Sequence, residues 1–277
     1  MMVRLWGTRG SLAAPGHATA RYGGNTSSVE VRANDGQVIV LDAGTGIRPL
    51  GRALGPVQRV DVFLSHLHMD HIQGLGFFVP VYDPSVDVHL WGPATSEADL
   101  RARLVRYLSP PLFPVHLRDL SRLTVHELPA TPFDVGAFRI WADRICHPGF
   151  TVGFRIEADG GSLAYLSDHE PALGNPTFPG AAAWTSGHAL ADEADVLIHD
   201  CQYDRSEYPA HVGWGHSTIE HAIALARLAG VRRLIAFHHD PEHDDDAIDR
   251  ITANAIERLA PSFPVTPGAE GMQIEVG

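Results

Sequence analysis

The chain has 277 residues, 44% of them hydrophobic and 19% charged, enough for one large folded domain or two small ones around a real core. A formal charge of −12, with no Lys/Arg run longer than a pair, offers no basic face for tracking long nucleic acid, although bound divalent cations could still serve a phosphate substrate. No stretch reaches the roughly 18–20 apolar residues of a membrane span, the opening MMVRLWGTRGS lacks a signal-peptide core, and Cys146 and Cys201 make no disulfide framework.

A cytoplasmic protein with both thiols buried as small apolar groups is therefore expected. The compositional oddity is a count of 17 histidines, which favours a metal site before any spacing is considered.

Taken in chain order, apolar runs bounded by Gly, Asn and Asp predict an early β-layer over residues 2–7 (MVRLWG), 27–33 (SSVEVRA), 37–44 (QVIVLDAG) and 60–66 (VDVFLSH). The last of these runs into SHLHMDHIQGL. Apolar spacing predicts a helix over 98–108, broken by SPPLFP. Strands return at 123–128, 137–145, 151–158 and 162–168, and a short buried run follows at 195–200. The best-signed helix covers 217–230, with Ser217 and Glu220 as a capping box and Gly230 where the chain leaves the helix. A strand over 232–239 ends in two histidines, and a closing helix over 244–260 begins with acids at its positive end. There is no linker or repeat. The expectation is one α/β domain over residues 1–277, made of two β-rich halves with helices outside.

The chemistry starts at His66-x-His68-x-Asp70-His71. On extended backbone, the two histidines of H-x-H point to the same side. The Asp and His that follow can face a second ion. Imidazole and carboxylate without thiolate suit zinc, with manganese or iron as alternatives. A single such histidine would ordinarily be a surface or satisfied core residue, but the density of this quartet argues otherwise. A metal pair needs further ligands, and His147, Asp168 and His238 each stand where a predicted strand ends, the place where α/β folds collect functional groups. His239 competes with His238, and His169 and Glu170 compete with Asp168.

This ordered set resembles the metallo-β-lactamase superfamily, from GTRGS near the start to HHDP near the end. The resemblance implies an αββα sandwich of two mixed β-sheets with helices on the outer faces. It further implies that His66, His68 and His147 hold one divalent ion and Asp70, His71 and His238 the other, with Asp168 bridging. Two Zn²⁺ ions are the expected cofactors, and an Asp at the bridge argues against the main zinc β-lactamase branch. The segment GWGHSTIEHA is similar to the GHST motif of ribonuclease Z and its phosphodiesterase relatives, which implies that His216 serves the phosphate. Free N–H groups and the positive helix end beside it suit an anion; the bland alternative is a residue that merely precedes the helix cap.

WGTRGS and YGGNTSSVEV also resemble that group, making Asn25 and Ser217 weak substrate-binding candidates, although hairpin turns explain Gly23 and Gly24 equally well. Asp42 at the end of QVIVLD is read as structural or as a support behind a ligand, rather than as a ligand itself. Ribonuclease Z of the common kind carries a long tRNA-binding arm after its third-histidine strand. Here only 20 residues separate His147 from Asp168, which leaves no room for one. The segment 107–120 could instead shape or lid a pocket. The resemblance thus implies a dinuclear hydrolase of a small or cyclic phosphodiester, with a metal-activated hydroxide attacking phosphorus in line. Asp70 orients the nucleophile or shuttles its proton, and His216 either clamps the phosphate or protonates the leaving oxygen. Alternatives on the same residues are a thioester or lactone hydrolase, a tRNA 3′-processing endonuclease, or a metal-bearing binding protein without turnover. A homodimer would be in keeping with such relatives.

Overall fold

The computed structural model describes residues 1–96, 98–120, 122–173 and 178–277. Its first half runs β1 (Met2–Gly7), β2 (Ser28–Arg32), β3 (Val38–Leu41), α1 (Ile47–Ala53), β4 (Arg59–Phe63), α2 (Met69–Ile72), β5 (Asp87–Gly92), α3 (Leu100–Val105) and β6 (Leu123–Glu127). The second half runs β7 (Phe133–Val135), β8 (Phe138–Arg144), β9 (Val152–Ala158), β10 (Gly161–Leu166), α4 (His188–Ala191), β11 (Val196–Asp200), α5 (Ile219–Leu228), β12 (Leu234–Phe237), α6 (Asp245–Leu259) and β13 (Val265–Pro267). The last strand, β14 (Gln273–Glu275), returns to pair with β1.

Among the described residues the strands form two seven-stranded sheets, ordered β14-β1-β2-β3-β4-β5-β6 and β13-β12-β11-β10-β9-β8-β7. In these orders the first sheet has three antiparallel pairings followed by three parallel ones, and the second has three parallel pairings followed by three antiparallel ones. The two-residue period of a strand sorts the side chains into layers. In β3, Ile39 and Leu41 face the other sheet, while Val38 and Val40 face the layer that holds α1 and α3. In β10, Leu163 and Tyr165 join the inter-sheet core, while Ala164 and Leu166 pack under α4 and α5. This is the expected αββα sandwich. No helix among the described residues is long and apolar enough to cross a membrane.

Several local expectations are corrected. The cap of α5 is Thr218, whose hydroxyl accepts from the His221 N–H at 3.1 Å, and not Ser217. In the Ser-Thr pair either hydroxyl could cap; the Ser217 hydroxyl is instead drawn to the Asp200 carbonyl at 2.9 Å. Gly230 does close α5, with a left-handed φ of 67°. The strand β5 was not anticipated, although Val88 and Leu90 alternate inward with His89 and Trp91 between them. Cys201 is buried as expected, but Cys146 is only half-buried.

Candidate metal centre

Parallel strands deliver their C-terminal ends to one edge, and the candidate ligands gather there. His66, His68, Asp70 and His71 lie on the turn from β4 into α2, and His147 follows β8. Asp168 follows β10, Asp200 ends β11, and His238 follows β12. His66, His68, His147 and Asp168 form one group, and Asp70, His71, Asp168 and His238 another; within each, one ligand atom per residue lies within 4.8 Å of all the others. Asp168 belongs to both. Its Oδ2 is 3.7 Å from His66 Nε2, 3.9 Å from His147 Nε2 and 3.3 Å from His238 Nε2, and its Oδ1 is 3.0 Å from His71 Nε2. Asp70 Oδ2 lies 3.2 Å from both His71 Nε2 and His238 Nε2. His68 is the exposed member, so the cluster opens on its side.

These side chains fit a cation better than they fit one another. His66 Nε2 is buried and finds no hydrogen-bond partner, and His71 Nε2 and Asp168 Oδ1, though 3.0 Å apart, are poorly aligned for a hydrogen bond with one another. Buried polar atoms are rarely left so, and here the lone pairs converge from two sides. Nitrogen and carboxylate donors without sulfur match zinc, manganese or iron.

The charges tell the same story. Burial lowers His66 and His68 below the ordinary imidazole value and brings His147 down to about 4, so all three are neutral, as ligands must be. His71 and His238 go the other way. Burial opposes their charge, but Asp168, Asp70 and the other acids around them outweigh it, raising His71 well above the usual value and His238 to about 9. Burial likewise opposes ionisation of Asp70 and Asp168, yet the facing histidines hold both below the usual carboxylate range. In the metal-free chain, protons on His71 and His238 therefore stand where a cation would.

Metal binding on this side must displace those protons. Affinity is expected to fall as pH drops below about 9, by about tenfold per unit for each proton displaced. Without metal the sign reverses: the raised His238 value contributes stability that is full below the ordinary 6.5 and lost as pH rises through about 9. Calorimetric metal titrations in buffers of different ionisation enthalpy would count the protons released.

The supporting contacts explain why the ligands point as they do. Asp42, at the end of β3 with a left-handed φ of 59°, is buried; its Oδ2 lies 2.8 Å from His71 Nδ1 and accepts from the Tyr165 hydroxyl at 2.8 Å. Its Oδ1 accepts from the Ser65 N–H at 2.7 Å. This fixes the His71 ring with Nε2 toward the cluster. Asp42→Ala is expected to strand these buried donors at about 1–3 kcal/mol each and to weaken metal binding about 10–100-fold. Thermal unfolding of the metal-free protein and competition with a chelator would measure the two effects separately.

The opening GTRGS motif also reaches the site: the Ser11 N–H donates to Asp70 Oδ2 at 2.8 Å, and a Cβ on Gly10 would sit 2.3 Å from the His238 ring. Gly23 and Gly24 pack instead against Glu270 and the Ala14–Pro15 backbone.

His238 and His239 part cleanly. His239 Nε2 turns away to the Gly268 carbonyl at 2.9 Å, while His238 Nδ1 meets Gln202 Oε1 at 3.1 Å and leaves Nε2 for the cluster. His216 is brought alongside, its ring centroid 5.0 Å from those of both His147 and His238. Its Nδ1 is tied to Asp200 Oδ2 at 2.7 Å. Asp200 was missed in the sequence, although a carboxylate ending a fully buried strand was the available signal. Ser217 and Asn25 are each held by a carboxylate of the chain: the Ser217 N–H donates to Asp200 Oδ1 at 3.0 Å, and the Asn25 side-chain amide donates to Glu270 Oε2 at 2.9 Å. From the 107–120 segment, Tyr107 and Leu112 line a cavity of about 510 Å³ with Leu67, Met69, Ile72, Arg103 and Arg106, against the ligand-bearing turn.

Residues 37–239, which carry every candidate ligand, match the family described as the beta-lactamase superfamily domain. The chain belongs to this superfamily. This metallo-β-lactamase-fold protein is 26% identical over 291 aligned positions to a ribonuclease Z from Myxococcus xanthus (strain DK1622), covering 91% of this chain and 92% of that one. The metallo-beta-lactamase fold protein YhfI from Bacillus subtilis superposes with a TM-score of 0.72 at 19% identity, over 99% of each chain. A diphosphatase from the PhnP family does so with a TM-score of 0.69 at 17% identity, over 100% of this chain and 98% of the other. The protein is a metal-dependent hydrolase of the metallo-β-lactamase fold that uses divalent ions.

Proposed function

We propose that residues 1–277 act as one hydrolase domain for a small or cyclic phosphodiester. Two divalent ions, Zn²⁺ in the first instance, would be held by His66, His68 and His147 and by Asp70, His71 and His238, with Asp168 between them. The observation that carries the reading is the His216–Asp200 pair. With Nδ1 tied to Asp200 at 2.7 Å, the ring offers Nε2 beside the cluster, where it can donate to a phosphoryl oxygen or hand a proton to the leaving oxygen. Divalent ions bound here would supply Lewis acidity and ionise water near neutral pH. Asp70, ionised and anchored by the Ser11 N–H, would orient the attacking water's remaining proton. Burial of the remaining ligands excludes bulk water, and the exposed His68 marks the side of entry.

The cavity lined by Tyr107, Leu112 and Arg106 is suited to one ester substituent, with an apolar wall and a cation at its rim. Two features favour a small substrate. Only Asp159 and Gly160 separate β9 from β10, so no arm projects between His147 and Asp168, and the chain is acidic. The relatives named ribonuclease Z favour the second reading, tRNA 3′ processing. The two are told apart by offering the metal-loaded protein bis-p-nitrophenyl phosphate, cyclic nucleotides, a thioester, a lactone and a precursor tRNA. The proposal expects phosphodiester turnover well above acyl turnover and no preference for the tRNA; efficient tRNA cleavage, or acyl turnover alone, would overturn it.

A further inference from the structure

Glu170 is fully buried, an arrangement that costs a carboxylate dearly unless every lone pair is answered. Here the answer comes from one loop. Oε1 accepts from the Tyr208 hydroxyl at 2.7 Å, Oε1 and Oε2 share the Gly213 N–H at 3.0 Å each, and Oε2 accepts the Gly215 N–H at 2.9 Å. The Glu170 backbone N–H meanwhile donates to the Cys146 carbonyl at 2.8 Å. One residue thus grips the backbone just before His147 with its main chain and the backbone just before His216 with its side chain.

The two grips meet at Gly215. Its N–H is held by Glu170, and its carbonyl lies 2.9 Å from His147 Nδ1. An acceptor there requires Nδ1–H and leaves the lone pair on His147 Nε2, which faces His68 Nδ1 at 3.1 Å. The loop lies flat on this histidine: Gly215 has a φ of 86°, and a Cβ there would come within 2.4 Å of His147 Nδ1 and 2.2 Å of the Pro148 ring. Only glycine allows that approach.

We propose that Glu170 is a positioning residue for the metal centre, setting the His147 tautomer through the Gly215 peptide and the place of His216 through the same loop. This rests on His147 acting as a metal ligand but not on the identity of the substrate. Three donors converge on the carboxylate. In Glu170→Ala all three lose their acceptor and the Gly215 peptide is released, whereas in Glu170→Gln the amide oxygen can keep both glycine N–H groups while its NH₂ donates to the Tyr208 hydroxyl oxygen.

The test reads metal affinity rather than turnover, so a failure of the phosphodiester reading leaves it intact. Zn²⁺ binding is measured by chelator competition in wild type, Glu170→Ala and Glu170→Gln, alongside the unfolding temperature of each metal-free protein. Zn²⁺ affinity is expected to fall about 10–100-fold in Glu170→Ala, with recovery toward wild type in Glu170→Gln. In Co²⁺-loaded samples the Glu170→Ala d–d bands are expected to shift. Wild-type affinity and an unchanged cobalt spectrum in a folded Glu170→Ala protein would overturn the proposal. Should that variant not fold, amide exchange in the wild type decides. Gly213 and Gly215 N–H protection close to that of the core strands sustains the clamp, and exchange at the rate of an open surface loop refutes it.

Discussion

Asp168→Asn is expected to collapse metal binding while keeping the shape of the side chain. Content should fall from about two ions per chain to about one or fewer, and turnover by more than about 10³-fold. The reason is geometric. Asp168 is the one carboxylate common to both ligand groups, its two oxygens facing His66, His147 and His238 on one side and His71 on the other. An amide oxygen is a weaker donor, and the amide NH₂ must point at an imidazole nitrogen that needs a cation. The charge balance also shifts. Asp168 is the strongest influence raising His71 and His238 against burial, so both should move toward the neutral form in the metal-free variant. Elemental analysis of freshly purified protein, with the unfolding temperature as a control for folding, measures the effect. Full metal content in Asp168→Asn would mean that the ions are held elsewhere.

His216→Ala should behave in the opposite way toward metal. Its Nδ1 is committed to Asp200 and its ring stacks at 14° on His238, but it is not needed to complete either ligand group containing Asp168. Metal content is therefore expected to stay within error of wild type, while kcat on a cyclic nucleotide, whose leaving alkoxide must be protonated, falls about 10²–10⁴-fold, the range for losing a positioned proton donor or acceptor. If His216 is the general acid, the loss should shrink for substrates with better leaving groups such as p-nitrophenolate. If it clamps a phosphoryl oxygen, the loss should be similar for all leaving groups and appear in KM as well. Retained phosphodiester turnover in the mutant would remove His216 from the chemistry.

Much of this site was legible because each ligand follows a readable strand. The β4 turn presents four candidates within six positions, the runs ending near Asp168 and His238 are buried throughout, and the run ahead of His147 alternates, with Phe138 and Ile140 inward and Arg139 exposed. What stayed hidden was relational. His238 and His239 are adjacent on the chain, and only the left-handed φ of 57° at His238 and the Gly268 carbonyl facing His239 separate their roles. Asp200 ends a short strand without any motif around it, and its importance appears only when β11 is laid beside β12 and the 216 loop folds over it. The capping residue of α5 slipped by one because Ser217 and Thr218 are chemically equivalent until the Asp200 carbonyl claims the serine. Glu170 could be seen in the sequence only as a rival to Asp168; its donors come from residues 208–215, far along the chain.

The central claim is that this cluster holds a pair of ions that hydrolyses phosphodiesters. Its most direct test is to titrate Zn²⁺ or Mn²⁺ into chelator-treated protein while following bis-p-nitrophenyl phosphate hydrolysis. The rate should start near zero and rise to a plateau at about two ions per chain, and the plateau should be absent in Asp168→Asn. Full metal occupancy without hydrolysis, or hydrolysis that does not depend on added metal, would contradict the account.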